Sequence, residues 1–205
     1  MKNYLLKNKF NFALLCGLLC AIFLSLAQFN VSCDELRANV LRLHIIANSN
    51  SKADQALKLK IRDAILEHSG NLFTENTDLD SAIETTCENL PQIERLANKV
   101  IKENGFTYNA KATVGDSFFE TREYSDFTLP AGVYESLIIK VGEGKGKNWW
   151  CVIYPEICIG AAKGKQIKDV TTAKTAEIAE NQPKYVMRFK IIELYESFKK
   201  RIAKK

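Results

Sequence analysis

No acidic residue precedes Asp34, so the first 33 of 205 residues carry only positive charge. Histidine is almost missing, with His44 and His68 the only two. No CxxC pair occurs, and both histidines are far from the Cys151–Cys158 region, which argues against a zinc site. HExxH and GxSxG are absent, and the glycine-rich stretch GEGKGK lacks a GK[ST]. These gaps remove the common signatures of zinc peptidases, serine hydrolases and P-loop nucleotide binding. The chain also shows no internal repeat and no long low-complexity linker.

What is present begins with a basic head, Lys2, Lys7 and Lys9, followed by FALLCGLLCAIFLSL from Phe12 to Leu26. A basic start and a short uncharged apolar run form the pattern of an export signal. The spacing predicts residues 1–33 as a signal peptide or N-terminal membrane anchor and residues 34–205 as a single exported domain. Ser32 and Cys33 stand where a lipoprotein signal would end, but Asn30, three before the cysteine, is not aliphatic. Without the leader 205 − 33 = 172 residues remain, enough for one sizeable core. Three of the 29 basic residues lie in the leader, so 26 bases face 24 acids in the remainder. A net charge near +2 gives no basis for nucleic-acid binding. Membrane contact belongs to the leader.

Cys33, Cys87, Cys151 and Cys158 lie outside the apolar run. Cys151 and Cys158 flank VIYPEI, whose Pro155 favours a turn, and in an oxidising space a bridge between them is expected. Two buried thiols are the alternative.

Residues 40–47, VLRLHIIA, alternate as a strand does. Leu41, Leu43, Ile45 and Ala47 are expected in the core, with Val40, Arg42, His44 and Ile46 on the opposite face. Ser51 and Asp54 form an S-x-x-D box that should open a helix, with Leu57, Ile61 and Ile65 on its apolar stripe and Gly70 as its stop. Thr77 and Asp80 repeat that spacing before a helical stretch from about Leu79 to Asn104, interrupted by Pro91. Strand candidates follow in TYNAKATVG, SFFETREYS, GVYESLIIKVG and NWWCVIYP, with GEGKGK as a hairpin loop between the last two. The tail reads as helix with an apolar stripe of Met187, Ile191, Leu194, Tyr195, Phe198 and Ile202, widened by Tyr185, Phe189 and Ile192. Lys199, Lys200, Arg201, Lys204 and Lys205 complement the helix dipole, with contact to an anionic membrane as the alternative. The fold class expected is α+β: a mostly antiparallel sheet packed against helices from the middle and the C-terminal end of the chain.

The residues that could carry function cluster after Val40. An enzyme would need His44 close to Asp54 or Asp63, which requires the helix to cross the strand's polar face, whereas helices pack through apolar stripes. Cys151 is a poor nucleophile in mid-strand beside a prospective bridge. Recognition fits better, and no catalytic residue, metal or cofactor is expected. Candidate partner-binding residues are Arg42, His44, Asn48, Asp54, Gln55, Lys58, Arg62 and one of Trp149 or Trp150, since tryptophan is enriched at binding hot spots. Asn48, Ser49, Ser51 and Asp54 also fit a purely local role, capping the helix and holding the strand–helix joint. A cell-wall-directed hydrolase and an exported ligand-binding module are the alternatives.

RLHIIANSNSKADQALKLKIRDAIL, NWWCVIYPEIC and MRFKIIELYE, after a signal-like start, resemble the stage II sporulation protein R family. The resemblance implies a protein made in the forespore and exported into the space between two membranes. There it activates a membrane-embedded aspartic protease of the mother cell, which cleaves a pro-sigma factor. It implies a signal and not the protease itself, and this sequence has no DTG or DSG.

Overall fold

The alternation that marks residues 40–47 becomes the second strand from the edge of a four-stranded sheet. The structure is a computed structural model that describes residues 2–73, 78–124, 127–155, 167–180 and 182–203. Helix α1, Lys2–Ala38, leads into β1, Leu41–Ile46. Helices α2, Lys52–Glu67, α3, Ser69–Leu72, and α4, Leu79–Glu103, follow before β2, Ala110–Phe119. The short strands β3, Arg122–Glu123, and β4, Thr128–Leu129, pair with each other as a separate ribbon. Strands β5, Gly132–Val141, and β6, Asn148–Tyr154, complete the sheet, and α5, Ile167–Val170, α6, Ala173–Glu180, and α7, Gln182–Ala203, close the chain.

Sheet order is β2-β5-β1-β6, with β1 parallel to β5 and the other two pairings antiparallel. The fold is therefore α+β with a mostly antiparallel mixed sheet. Its first face is the main core: Leu41, Leu43 and Ile45 of β1 join Leu137, Ile139 and Val141 of β5, under Leu57, Ile61 and Ile65 of α2 and Ile93, Ala97 and Ile101 of α4. Burial of these aliphatic groups at about 25 cal/mol per Å² drives the assembly of this layer. Against the second face pack the end of α1, the β3–β4 ribbon and α6, through Leu36, Phe127, Leu129 and Ala179 on Phe119, Tyr134 and Val152.

Several local expectations change. GEGKGK is not a hairpin loop, because β1 lies between β5 and β6. The loop instead crosses the end of β1 and is tied to it: Gly146 N donates to Ala47 O and Lys145 N to Asn48 O. A hairpin looks the same in sequence, since a third strand slotted between two consecutive ones leaves no local trace. Helix α2 stops at His68, whose Nδ1 meets Ala64 O at 2.8 Å, and Gly70 sits inside α3. Helix α4 runs unbroken through Pro91 and is capped by Asp78 and Ser81 in a reciprocal box. Thr77 lies outside the described residues. TYNAKATVG and SFFETREYS share the single strand β2 up to Phe119.

Helix α1 is continuous over 37 residues and crosses the expected boundary at residue 33. Its apolar stretch is long enough to span a membrane and is not buried in the protein, which fits a signal sequence or an anchor. Its last turns belong to the folded body: Phe29, Cys33, Leu36 and Arg37 are buried. Phe29 stacks on Tyr185 and meets Phe189 edge-on, and Arg37 Nη1 donates to Ala131 O at 2.7 Å.

Candidate functional site

The strand–helix joint is built from the side chains of N-S-N-S-K-A-D. Ser51 caps α2 by accepting from Asp54 N at 3.1 Å. The Asp54 carboxylate accepts from Asn48 Nδ2 at 3.0 Å and from the hydroxyls of Ser49 and Tyr108. Burial alone would push its carboxyl up, but the hydrogen bonds of Ser49, Tyr108, Asn48 and Ser51 outweigh that and hold it at about 2. Asn48 Oδ1 accepts from Glu143 N, and Asn50 Oδ1 from Lys147 N. Lys58 Nζ donates to Gln55 Oε1 at 2.8 Å and to Lys147 O at 3.0 Å. Gln55 Nε2 in turn donates to Ser49 O. Asn48, Asp54, Gln55 and Lys58 thus spend their polar groups within the protein, clamping the GEGKGK loop to β1 and α2.

Arg62 lies on α2 with its guanidinium carbon 5.1 Å from the Trp149 ring centroid and its Nε donating to Asp63 Oδ1. Trp149 packs beside the main core and Trp150 points to the second face, so the two alternate as strand geometry requires. Both are half-buried.

The second face is organised as rows across the sheet. Lys111, Lys140, Ile46 and Asn148 are in register, and next to them Thr113, Ile138, His44 and Trp150. In these two rows Lys111, Lys140, Thr113 and Asn148 are exposed and the others half-buried. In the following row Ser136, Arg42 and Val152 are buried under the ribbon and the aromatic layer, while Gly115 on the edge strand is half-buried. The cover on this face stops between Arg42 and His44.

Arg42 therefore does not project to solvent as expected. It is fully buried, 3.8 Å from the Phe119 ring centroid and 4.8 Å from that of Tyr134, with Nη2 donating to Tyr124 Oη at 3.0 Å. Among the described residues its Nε and Nη1 have no hydrogen-bond partner. Aromatic faces take the place of a carboxylate around this cation. Sequence alone could not show this, because arginine usually lies at the surface and the ribbon that covers it comes about eighty residues later.

His44 is half-buried between the Phe119 and Trp150 rings, with Nδ1 3.1 Å from Ser117 Oγ. Burial, and after it the Arg42 charge, hold its pKa below the ordinary value, against an opposing hydrogen bond with Asn148. Asp54 bonds on the other side of the strand, in the joint, so the two do not form an acid–base pair. Trp150 Nε1 is buried and without a hydrogen-bond partner among the described residues, and the Arg122 guanidinium carbon lies 4.8 Å from the Trp150 ring centroid. Ile138, Lys111 and Lys140 had no individual signal in the sequence; strand register alone brings them beside His44, and the ribbon brings Arg122 to Trp150. Among the described residues no group of three or more His, Cys, Asp or Glu is placed to hold a metal ion.

Cys151 is disulfide-bonded, and Cys16, Cys20, Cys33 and Cys87 are free thiols. Cys158, the expected partner, lies outside the described residues. Cys33 is buried within the α1–α7 contact.

A family profile described as stage II sporulation protein R (spore_II_R) matches residues 37–164. Stage II sporulation protein R of Bacillus subtilis (strain 168) is 31% identical over 147 residues, covering 69% of this chain and 66% of that relative. The aligned part thus spans about two-thirds of the relative's length. No solved structure matches. The matched residues contain the clamped strand–helix joint and the half-open sheet face, and the chain belongs to the stage II sporulation protein R family, with a role in sporulation.

Proposed function

We propose that this protein is an exported signal of endospore formation. It acts by adhesion, docking the open half of its second sheet face onto the outer part of a membrane-embedded aspartic protease in the mother cell. Docking favours the active state of that protease through differential affinity, and a pro-sigma factor is then cleaved. The observation that carries this reading is the abrupt end of cover between Arg42 and His44. It leaves Ile138, His44 and Trp150 half-exposed and Lys111 and Lys140 at the rim. Such a patch, apolar at the centre and basic at the edge, has the composition of a docking site for an acidic or aromatic segment.

The place of action is the space between the forespore and mother-cell membranes. Helix α1 supports either a retained anchor or a cut before Phe29, because a cut at residue 33 would remove Phe29 from its packing with Tyr185 and Phe189.

The test is co-expression of the full chain with the receptor protease and its pro-sigma substrate. Cleavage should require this chain. The double variant Lys111→Glu/Lys140→Glu and the single variant Trp150→Ala should lower cleavage at least tenfold while export and thermal midpoint stay near wild type for the lysine pair. Full cleavage with the lysine pair reversed and Trp150 truncated would remove the sheet face from the mechanism. Turnover of peptidoglycan or peptide by this chain alone would replace adhesion with hydrolysis.

A further inference from the structure

Helix α7 covers one arc of its apolar surface and leaves the other outward. Tyr185, Phe189 and Ile192, which looked like the fringe of its apolar stripe, are the buried residues, packed on Phe29, Cys33 and Ile178. Glu196 is buried with them, 3.7 Å from Arg37. The stripe itself faces water: Met187 is 75% exposed, Ile191 43%, Leu194 65% and Phe198 64%. These four follow one another at steps of four, three and four residues, the spacing of a coiled-coil seam. Ile202 continues the line. A narrow seam of this kind, about 17 Å long at 1.5 Å per residue, fits another helix better than a flat surface.

Charge narrows the choice of occupant. At 100° per residue Lys190 and Arg201 flank the seam on one side and Lys199 on the other, with Arg188 beside Lys199 but resting its guanidinium on the Phe29 and Tyr185 rings. The only acids of α7, Glu193 and Glu196, turn away from it, one paired with Lys190 and the other beside Arg37. Two copies of α7 would bring basic flank against basic flank in either orientation. A bilayer fits no better. Helix α7 runs in the same direction as the end of α1, since Phe29 meets Tyr185 and Phe189 while Arg37, further along, meets Glu196. The seam from Met187 to Ile202 therefore leads away from the apolar span by roughly 20 Å.

We propose that α7 is a docking seam for an amphipathic helix of another protein, whose apolar stripe is flanked by acidic residues. This stands on α7 alone and does not depend on the role of the sheet face.

The experiment uses the full chain in nanodiscs of zwitterionic lipid and two fluorescent designed helices. Both carry leucine at seam positions; one has glutamate and the other lysine at every flanking position. Anisotropy should show the glutamate-flanked helix binding at least tenfold tighter. Leu194→Asp should weaken that binding at least tenfold, whereas Leu59→Asp, on the exposed side of α2, should leave it unchanged. Circular dichroism melting should show that both variants remain folded. Equal binding of the two helices, no binding of either, or indifference to Leu194→Asp would overturn the proposal. So would energy transfer between differently labelled copies that is lost in Leu194→Asp, which makes a second copy the occupant. A blue shift of a bimane probe at Leu194→Cys when anionic lipid replaces zwitterionic lipid would assign the seam to the bilayer and overturn it equally.

Discussion

The guanidinium of Arg42 stacks on the ring of Phe119 at 3.8 Å, sealed from water and without a carboxylate beside it among the described residues. A buried cation held by aromatic faces and one phenol oxygen contributes through packing and cation–π attraction together. Arg42→Ala leaves a cavity under Tyr134 and should destabilise the fold by on the order of 3 kcal/mol. Arg42→Met fills most of that volume without an unpaired charge and should stay within about 1 kcal/mol of wild type or exceed it. Chemical denaturation of the two variants checks this. Equal large losses in both would mean that the charge itself is required.

Acid should weaken the protein in two stages. His44 is held below 6.5, so in the window below 6.5 the unfolded chain takes up a proton that the folded chain refuses, and stability falls with pH. Asp54 is held at about 2 against an ordinary 3.8, so its contribution is complete above 3.8 and disappears as pH falls through about 2. Unfolding midpoints measured from pH 8 to pH 2 should therefore show a shallow decline beginning near 6.5 and a steeper one below about 4. His44→Gln should abolish the first alone, and Asp54→Asn should make the second shallower without removing it, because Glu35, hydrogen-bonded to Thr172 and Thr175, is also held below its ordinary value. A decline in His44→Gln that still starts near 6.5 would contradict this assignment.

Two glycines should respond oppositely to alanine. A Cβ at Gly146 would lie 2.2 Å from Ser49 O, a backbone atom of the clamped joint, so Gly146→Ala must push the loop off β1 and should cost about 1–3 kcal/mol. At Gly115, on the sheet row beside Arg42, a Cβ meets nothing within 4 Å. Gly115→Ala should stabilise by about 0.5–1 kcal/mol, because alanine loses less backbone entropy in a strand. Thermal melts of both variants, with cleavage of the pro-sigma factor as a second readout, separate loop clamp from sheet face.

Legibility in the sequence followed the range of the forces involved. The alternation of Leu41, Leu43 and Ile45 and the Ser51 cap could be read directly, because strand pleat and helix capping act over two to four residues. The joint role of Asn48 and Asp54 was visible as one of two readings, and the hydrogen bonds to Tyr108 and to the 142–147 loop are the ones it calls for. The α7 stripe was legible, but not which of its members are covered. Apolar residues surround much of that helix, so periodicity marks two arcs, and only the position of Phe29 shows which is covered.

By itself the sequence determined the apolar leader, the α+β class, the motif that marks the family, and the local devices that begin and end most elements. Tertiary structure alone decided that β1 slots between β5 and β6, that Arg42 lies under an aromatic cover while His44 stands at its edge, and that the seam of α7 remains open. The physical reason is that burial is a property of what arrives from elsewhere in the chain. A side chain's own chemistry sets what exposure would cost, and the distant ribbon, helix or loop determines whether it is exposed at all.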